Sequence, residues 1–221
     1  MRRLAFAFLT CIVSPALACS VAPGYRVPTT LELAGEADRI VIAVPFGQRD
    51  ADTGEPEALF AELFVLKSDG REPFGSAIGV PGLIADVGTP VTPSDPRELV
   101  RAHPETYSGG CNRYIFGPRT FVLLFLKRQG DRYRALSYAF ARTAEDAKGF
   151  NSLWAKAVRE YVAIAALPPK MRRARMAARQ AILRRRGDAD SRAIADDLRA
   201  ELTGPDKPLR ETLPPAPWAI R

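Results

Sequence analysis

Short apolar runs separated by polar turns dominate residues 19–143. Each run is rich in Ile, Val, Leu or Phe and is bounded by Gly, Pro or charged residues, which is typical of strands in a small barrel or sandwich. Pro45 and Gly47 are expected to end the first strand, and a polar loop is expected over residues 48–57. The predicted strands cover residues 39–46, 58–67, 76–80, 120–127 and 133–141.

The run over residues 120–127 is the clearest strand because its apolar residues are almost continuous. Such a run predicts burial on both faces. Gln129-Gly130-Asp131 follows it and predicts a hairpin turn, since glycine adopts a positive φ at little cost. The long segment 81–110 is rich in Pro and Gly, and we expect it to be the least regular part of the chain.

After residue 144, the apolar residues recur at helical spacing and no longer form short strand-like runs. A short helix over residues 31–38, capped by Thr29 or Thr30, precedes the strands. The next helix begins at Asn151 or Ser152 and ends at Pro168-Pro169. Its predicted buried face is Trp154, Ala157, Val158, Tyr161, Ile164 and Ala165.

Two further helices are predicted before a tail. Residues 170–186 predict a helix that carries a narrow apolar stripe and ends at Gly187. Residues 190–202 predict a more acidic helix, and the proline-rich residues 204–221 an extended tail. The predicted apolar stripes are Met171, Ala174, Ala178 and Ile182 on the first helix, and Ile194, Leu198 and Leu202 on the second.

Residues 1–18 have the pattern of a secretory signal peptide. Two arginines precede about ten apolar residues, and Ala16-Leu17-Ala18 offers a cleavage site. The apolar run is too short to span a bilayer, which needs roughly 20 residues. Cleavage before Cys19 therefore predicts a periplasmic or secreted protein with no transmembrane segment. The alternative is a lipoprotein anchored at Cys19, since lipoprotein signals end just before a cysteine.

The chain has a positive net charge and three cysteines. The chain has a net charge of +7, which becomes +5 after loss of Arg2 and Arg3 because residues 1–18 contain no acid. Of the three cysteines, Cys11 leaves with the signal, and Cys19 and Cys111 remain. An even pair in an oxidising compartment favours a disulfide. Two free thiols, or a lipidated Cys19 with Cys111 left over, are the alternatives.

Several segments together resemble netrin-like domains, which include the tissue inhibitors of metalloproteinases and a group of small exported bacterial proteins. The resemblance covers roughly residues 19–145. Its pieces are an N-terminal Cys19 followed by a short helix, Ala37-Asp38-Arg39-Ile40-Val41-Ile42-Ala43, Leu63-Phe64-Val65-Leu66-Lys67, Ser108-Gly109-Gly110-Cys111, Phe116-Gly117, Thr120-Phe121-Val122-Leu123-Leu124-Phe125 and Ala141-Arg142-Thr143.

The resemblance implies a five-stranded OB-like barrel whose N-terminus is tied to it by a Cys19–Cys111 disulfide. The second disulfide of many members is absent, because Val21 and Phe140 stand at its two positions. In the inhibitors, the amine and carbonyl of the first cysteine chelate the protease zinc. The resemblance therefore implies an inhibitory edge at Cys19, Ser20 and Val21, whereas the alternative is a Cys19 that only anchors the N-terminus.

Other chemistry is sparse in the sequence. His103 is the only histidine, in a predicted loop, where we expect it to be solvated. The sequence has no P-loop, no G-x-G-x-x-G and no H-E-x-x-H motif. We therefore predict a protein that is not an enzyme, with no cofactor and no metal site.

The helix over residues 170–186 is strongly basic and contains no acid. It predicts binding to an anionic surface, or to an envelope protein, rather than to nucleic acid, because the chain is exported. The alternative is a solvated face whose arginines pair with the acids of the next helix, Asp188, Asp190, Asp196, Asp197 and Glu201. The basic residues are Lys170, Arg172, Arg173, Arg175, Arg179, Arg184, Arg185 and Arg186.

The predicted architecture is mainly β with a helical extension (α+β), a five-stranded OB-like barrel followed by about three helices. Its predicted parts are a signal peptide (1–18), a netrin-like domain (19–145), a helical extension (146–203) and a tail (204–221). The leading functional hypothesis is an exported, non-catalytic binding or interaction module of the cell envelope with a disulfide-anchored N-terminus. A metalloprotease inhibitor and an anionic-surface binder are the alternatives.

Overall fold

The computed structural model describes residues 21–22, 24–51, 54–71 and 77–204. The predicted signal peptide, Cys19, Ser20 and the tail after residue 204 lie outside these residues. The elements, in chain order, are α1 (Thr30–Glu36), β1 (Arg39–Asp50), β2 (Pro56–Lys67), β3 (Ile78–Pro81), β4 (Leu83–Ile84), a 3-10 helix (Pro104–Tyr107), β5 (Ile115–Phe116), β6 (Val122–Gln129), β7 (Arg132–Ala135), β8 (Ala144–Asp146), α2 (Leu153–Ala165), α3 (Pro169–Arg186) and α4 (Ala189–Thr203).

Five strands close into a barrel in the order β1-β2-β3-β7-β6, and β6 pairs back with β1. Neighbouring strands are antiparallel except at the parallel β3–β7 pair. This strand order is that of an OB-like barrel, and three helices follow it. The predicted fold class is therefore confirmed.

The barrel closes over a buried carboxylate. Gly79 of β3 lies opposite Arg134 of β7, and a Cβ at this glycine would lie 2.2 Å from the Glu57 carboxylate. Glu57 is 4% exposed and forms ion pairs with Arg49 at 2.6 Å and Arg134 at 3.7 Å. Glycine at position 79 thus makes room for the ion pairs that join β1, β2 and β7.

Strand β6 is buried on both faces, as predicted. Val122, Leu124 and Leu126 face the barrel interior, where they pack with Phe60 and Phe116 among others. The alternate residues of β6 face the other way, into a second apolar cluster shared with the helices. The hairpin after β6 is also confirmed, because Gln129 pairs with Arg132 and Gly130 has a φ of 63°.

Strand β1 is longer than predicted. Pro45 and Gly47 do not end it, and it continues to Asp50. The pairing register with β2 shifts between Pro45 and Gly47, and a bulge of this kind accommodates a residue that lacks an N–H. The predicted loop over residues 48–57 is reduced to a turn, in which Ala51 N–H donates to Glu55 O at 2.8 Å.

The return strand predicted over residues 133–141 is shorter than predicted, and a strand was missed. β7 ends at Ala135, and the chain then turns at Phe140, whose φ is 60°. The chain comes back as β8, whose residues pair with Val122, Leu123 and Leu124 of β6. The apolar pattern did not reveal β8 because it is only three residues long and two of them are acidic.

The helices α2 and α4 bury the predicted residues, and the cap predicted for α1 is present. Thr29 caps α1 in a capping box with Glu32, and Ser152 caps α2. All six residues of the predicted α2 face are buried. On α4, Ile194 and Leu198 are buried, and Leu202 is half-buried.

The apolar stripe predicted on α3 faces solvent and not the core. Its four residues are all exposed, with Met171 at 50% and Ile182 at 37%. The residues of α3 that enter the core are Met176 and Leu183, seven residues apart, which pack in the same apolar cluster as α2 and α4. An 18-residue helix carrying apolar residues on two sides can bury either one, and the neighbouring helices decide which.

This orientation of α3 predicts opposite outcomes for two adjacent residues. Leu183→Ala should lower the free energy of unfolding by roughly 2–4 kcal/mol, because the side chain is 2% exposed and leaves a cavity. Ile182→Ala, the matched control, should cost less than about 1 kcal/mol. Urea unfolding of both variants measures the difference, and equal costs would show that the orientation is wrong.

Candidate functional site

Two acids on β8 tie the long segment 85–114 to the barrel. Glu145 is 2% exposed and accepts hydrogen bonds from His103 N–H at 2.9 Å and from the Ser94 hydroxyl at 2.8 Å. Asp146 accepts from Ser94 N–H at 2.8 Å, and its own N–H donates to Ser94 Oγ at 2.9 Å. Because burial disfavours the charged form, the pKa of Glu145 is raised.

His103 is a buried structural residue and not the solvated loop residue that the sequence suggested. Its side chain is 1% exposed, and Nδ1 accepts from Glu105 N–H at 3.2 Å. Nε2 lies 2.8 Å from Thr92 O, to which it donates in the tautomer that leaves Nδ1 as an acceptor. Burial and, secondly, the nearby Arg113 lower the pKa of His103 to about 4, so the ring is neutral at pH 7.

Two buried arginines complete this region. Arg113 forms an ion pair with Asp146 at 2.7 Å and lies over the Phe116 ring at 4.8 Å. Arg142 lies 3.9 Å from the centre of the Trp154 ring and donates to Glu98 O. Burial lowers the pKa of Arg142 despite Glu145 at 3.7 Å. These contacts fix both the arginine and the indole ring.

A cleft of about 550 Å³ opens above Arg142 and Trp154. It lies between residues 93–97, the chain just before β6, the end of β8 and the beginning of α2. One wall is largely apolar. The lining residues are Pro93, Ser94, Asp95, Pro96, Arg97, Arg119, Thr120, Phe121, Arg142, Asp146, Ala147, Lys148, Asn151, Ser152, Leu153, Trp154 and Asp190.

Two residues of the cleft carry donors without partners. Arg142 Nε and Trp154 Nε1 are both buried, and neither has a hydrogen-bond acceptor among the described residues. Most buried donors in proteins are satisfied, so each unsatisfied one needs an explanation such as a bound water or ligand. The first N–H groups of α2 also face this region, and a helix N-terminus favours negative charge.

The charges of the cleft leave a positive excess at its rim. Asp146 is paired with Arg113, and Asp190 is paired with Lys156 at 2.8 Å. In contrast, Arg119 and Lys148 are exposed and have no hydrogen-bonded or ion-paired partner in the described part of the chain. Asp95 is also exposed, and its carboxylate accepts only from Arg97 N–H at 2.9 Å among the described residues. The unpaired charges of the cleft are therefore two positive and one negative.

The basic residues of α3 divide into two sets. Arg172 and Arg173 donate to backbone carbonyls, while Arg179 pairs with Glu160 at 2.6 Å and Arg184 with Asp196 at 2.8 Å. The other four are exposed and have no such partner within the described ranges. They are Lys170, Arg175, Arg185 and Arg186.

The acids of α4 have mostly other roles than the predicted pairing with α3. Asp196 does pair with Arg184. However, Asp188 caps α4, Asp190 pairs with Lys156, and Tyr161 donates to Asp197 at 2.7 Å. The basic face of α3 is thus only partly neutralised by α4.

At the N-terminal end, Cys19 and Ser20 lie outside the described residues, and Val21 is half-buried. Cys111 is 2% exposed and disulfide-bonded. The predicted Cys19–Cys111 pairing and the inhibitory edge stay predictions.

Sequence reasoning missed the cleft. Its floor residue Trp154 was placed correctly on the buried face of α2, but nothing along the chain joins that residue to Pro93 or Phe121. The signal in the sequence that could have pointed to this region was Glu145-Asp146, two acids beside an apolar segment. Acids that become buried need hydrogen-bond donors from other segments close by.

No known protein-family model matches the chain, and no curated protein or solved structure is significantly similar to it. The netrin-like resemblance accordingly stays a prediction. Within the described residues, no helix is long and apolar enough to cross a membrane, and no group of three or more His, Cys, Asp and Glu side chains could hold a metal ion.

The lowered pKa of His103 predicts a pH dependence of stability. Between pH 6.5 and 4 the unfolded chain binds a proton that the native chain does not, so stability falls as the pH falls. His103 should account for a loss of about 2–3 kcal/mol between pH 7 and 4.5, which His103→Asn should remove. Urea unfolding of both proteins across this range measures it.

Because His103 is the only histidine, its imidazole can also be titrated directly by NMR in the unmodified protein. A midpoint near 6.5, or parallel stability curves for the two proteins, would contradict the buried and neutral ring.

Proposed function

We propose that this protein is an exported, non-catalytic binding module of the cell envelope, and that the cleft above Arg142 and Trp154 is its ligand site. The observation that carries the proposal is the lining of this cleft, which combines an apolar wall with Arg119 and Lys148, both exposed and without a partner among the described residues. The volume of about 550 Å³ lies within the roughly 300–1,000 Å³ of small-molecule sites.

The lining suggests the chemistry of the ligand. Phe121, Leu153 and Trp154 supply apolar contact, whereas Arg119 and Lys148 at the rim supply uncompensated positive charge. An anionic group could pair with Arg119 and Lys148, and an apolar portion could pack on Phe121, which is 40% exposed. We therefore propose a small carboxylate with an apolar or aromatic part.

A binding role fits the cleft better than catalysis does. Both ring nitrogens of His103 are already hydrogen-bonded, so this histidine is not available as a general base. The carboxylates of Glu145 and Asp146 are used in holding Ser94 and His103. The polar groups beside the cleft thus act as its scaffold.

Ligand binding should change the fluorescence of Trp154. The chain has two tryptophans, so Trp218→Phe leaves Trp154 as the only tryptophan, which is excited at a wavelength that tyrosine does not absorb. In this background, titration with N-acetylphenylalanine should give a saturable change and a higher melting temperature. N-acetylphenylalanine amide, which lacks the charge, should bind more weakly.

Arg119→Gln combined with Lys148→Gln should weaken binding of the carboxylate by about 2–10-fold, because exposed ion pairs contribute little each. Arg132→Gln, an exposed arginine on the barrel, is the control and should have no effect. Equal binding of the acid and the amide, or no saturable change with benzoate, N-acetylphenylalanine or inorganic phosphate, would contradict the proposed site.

The N-terminal segment is proposed to be anchored by a Cys19–Cys111 disulfide. Tyr25 OH donates to Ala139 O at 2.7 Å, and the next residue, Phe140, donates its N–H to Cys111 O at 2.7 Å. These contacts hold the chain that follows Cys19 near the turn that carries Cys111. Such a bridge would close a loop of about 90 residues and stabilise the fold by a few kcal/mol.

The intact mass of the exported protein, before and after reduction, tests the anchor. We expect a chain that starts at Cys19 and gains about two hydrogens on reduction. A mass that includes acyl chains would instead identify a lipoprotein. Acylation would also remove the free amine that the metalloprotease-inhibitor hypothesis requires.

A further inference from the structure

The helix α3 presents two different faces. One contains Met176 and Leu183 and enters the core. At 100° per residue, the opposite half contains the exposed apolar strip of Met171, Ala174, Ala178 and Ile182. These spacings of three or four residues make a continuous strip about 16 Å long.

The partnerless basic residues border this strip. Arg175 and Arg186 lie along one edge of it, Lys170 lies along the other, and Arg185 lies between the two edges on the outward side. All four are exposed, and none has a hydrogen-bonded or ion-paired partner among the described residues. The arginines that pair with Glu160 and Asp196 point instead toward α2 and α4.

We propose that this outward face of α3 docks on an anionic membrane surface, with the helix lying parallel to the headgroup layer. A helix that carries one sign of charge and no acid attracts an anionic partner. Its arrangement, a shallow apolar strip flanked by long basic side chains, is that of an interfacial helix.

The composition of the strip sets the depth of docking. Two of its four apolar residues are alanines, and it contains no aromatic residue. The interaction is therefore mainly electrostatic and superficial, and it must weaken with salt. A membrane suits the face better than an acidic protein does because the apolar strip is narrow and basic residues lie along both of its edges.

Co-sedimentation with vesicles tests the proposal. The chain without residues 1–18 should bind vesicles of equal parts phosphatidylcholine and phosphatidylglycerol, but not vesicles of phosphatidylcholine alone. Raising NaCl from about 0.1 M to about 1 M shortens the Debye length from about 10 to about 3 Å and should release it.

Reversal of charge locates the surface. Each basic side chain near an anionic bilayer strengthens binding about fivefold, so Arg185→Glu with Arg186→Glu should weaken it by at least about 25-fold. Arg71→Glu with Arg132→Glu changes the net charge equally, at two exposed arginines away from α3, and should weaken it far less. Met171→Ser with Ile182→Ser should lower binding while the circular dichroism spectrum is unchanged.

Three results would overturn the proposal. The first is no binding of the unmodified protein to the anionic vesicles, and the second is an equal loss in the two charge-reversal variants. The third is binding to polyglutamate but not to vesicles, which would identify an acidic polypeptide as the partner. The substituted residues are exposed and unpaired, so an unchanged melting temperature verifies that each variant is folded.

Discussion

The burial of β6 on both faces is the constraint on which the rest of the structure depends. Val122, Leu124 and Leu126 fill the barrel, while Leu123 and Phe125 form the floor on which the helices pack. A strand shared by two cores couples them, because it cannot move without disturbing both. The helical extension is thereby packed against the OB-like barrel.

A smaller set of polar contacts shapes the rest of the surface. Burying Glu145 is unfavourable unless its oxygens are hydrogen-bonded, and Ser94 and His103 supply those bonds from a segment with little regular structure. These few contacts hold residues 93–97 at the end of the barrel, and the proposed cleft lies between that segment and α2. The proposed ligand site is therefore a consequence of satisfying buried acids.

The two proposed surfaces use different parts of the helical extension. The cleft uses the beginning of α2, where the helix meets the barrel, whereas the outward face of α3 uses a side that the core does not need. Arg179 and Arg184 are bonded to acids of neighbouring helices, whereas Arg185 and Arg186 have no such partner among the described residues. A charge run in a sequence thus overstates the charge available to a partner.

Local patterns in the sequence determined most of the elements. The apolar run of β6, the Gly130 turn, the Thr29 cap and the buried face of α2 each depend on residues close along the chain. Tertiary structure decided the features that depend on distant residues. It selected Met176 and Leu183 over the predicted stripe of α3, since either side of that helix could be buried. It also turned His103 inward and brought Pro93, Phe121 and Trp154 around one cleft, because buried hydrogen bonds and barrel closure join segments that no local pattern connects.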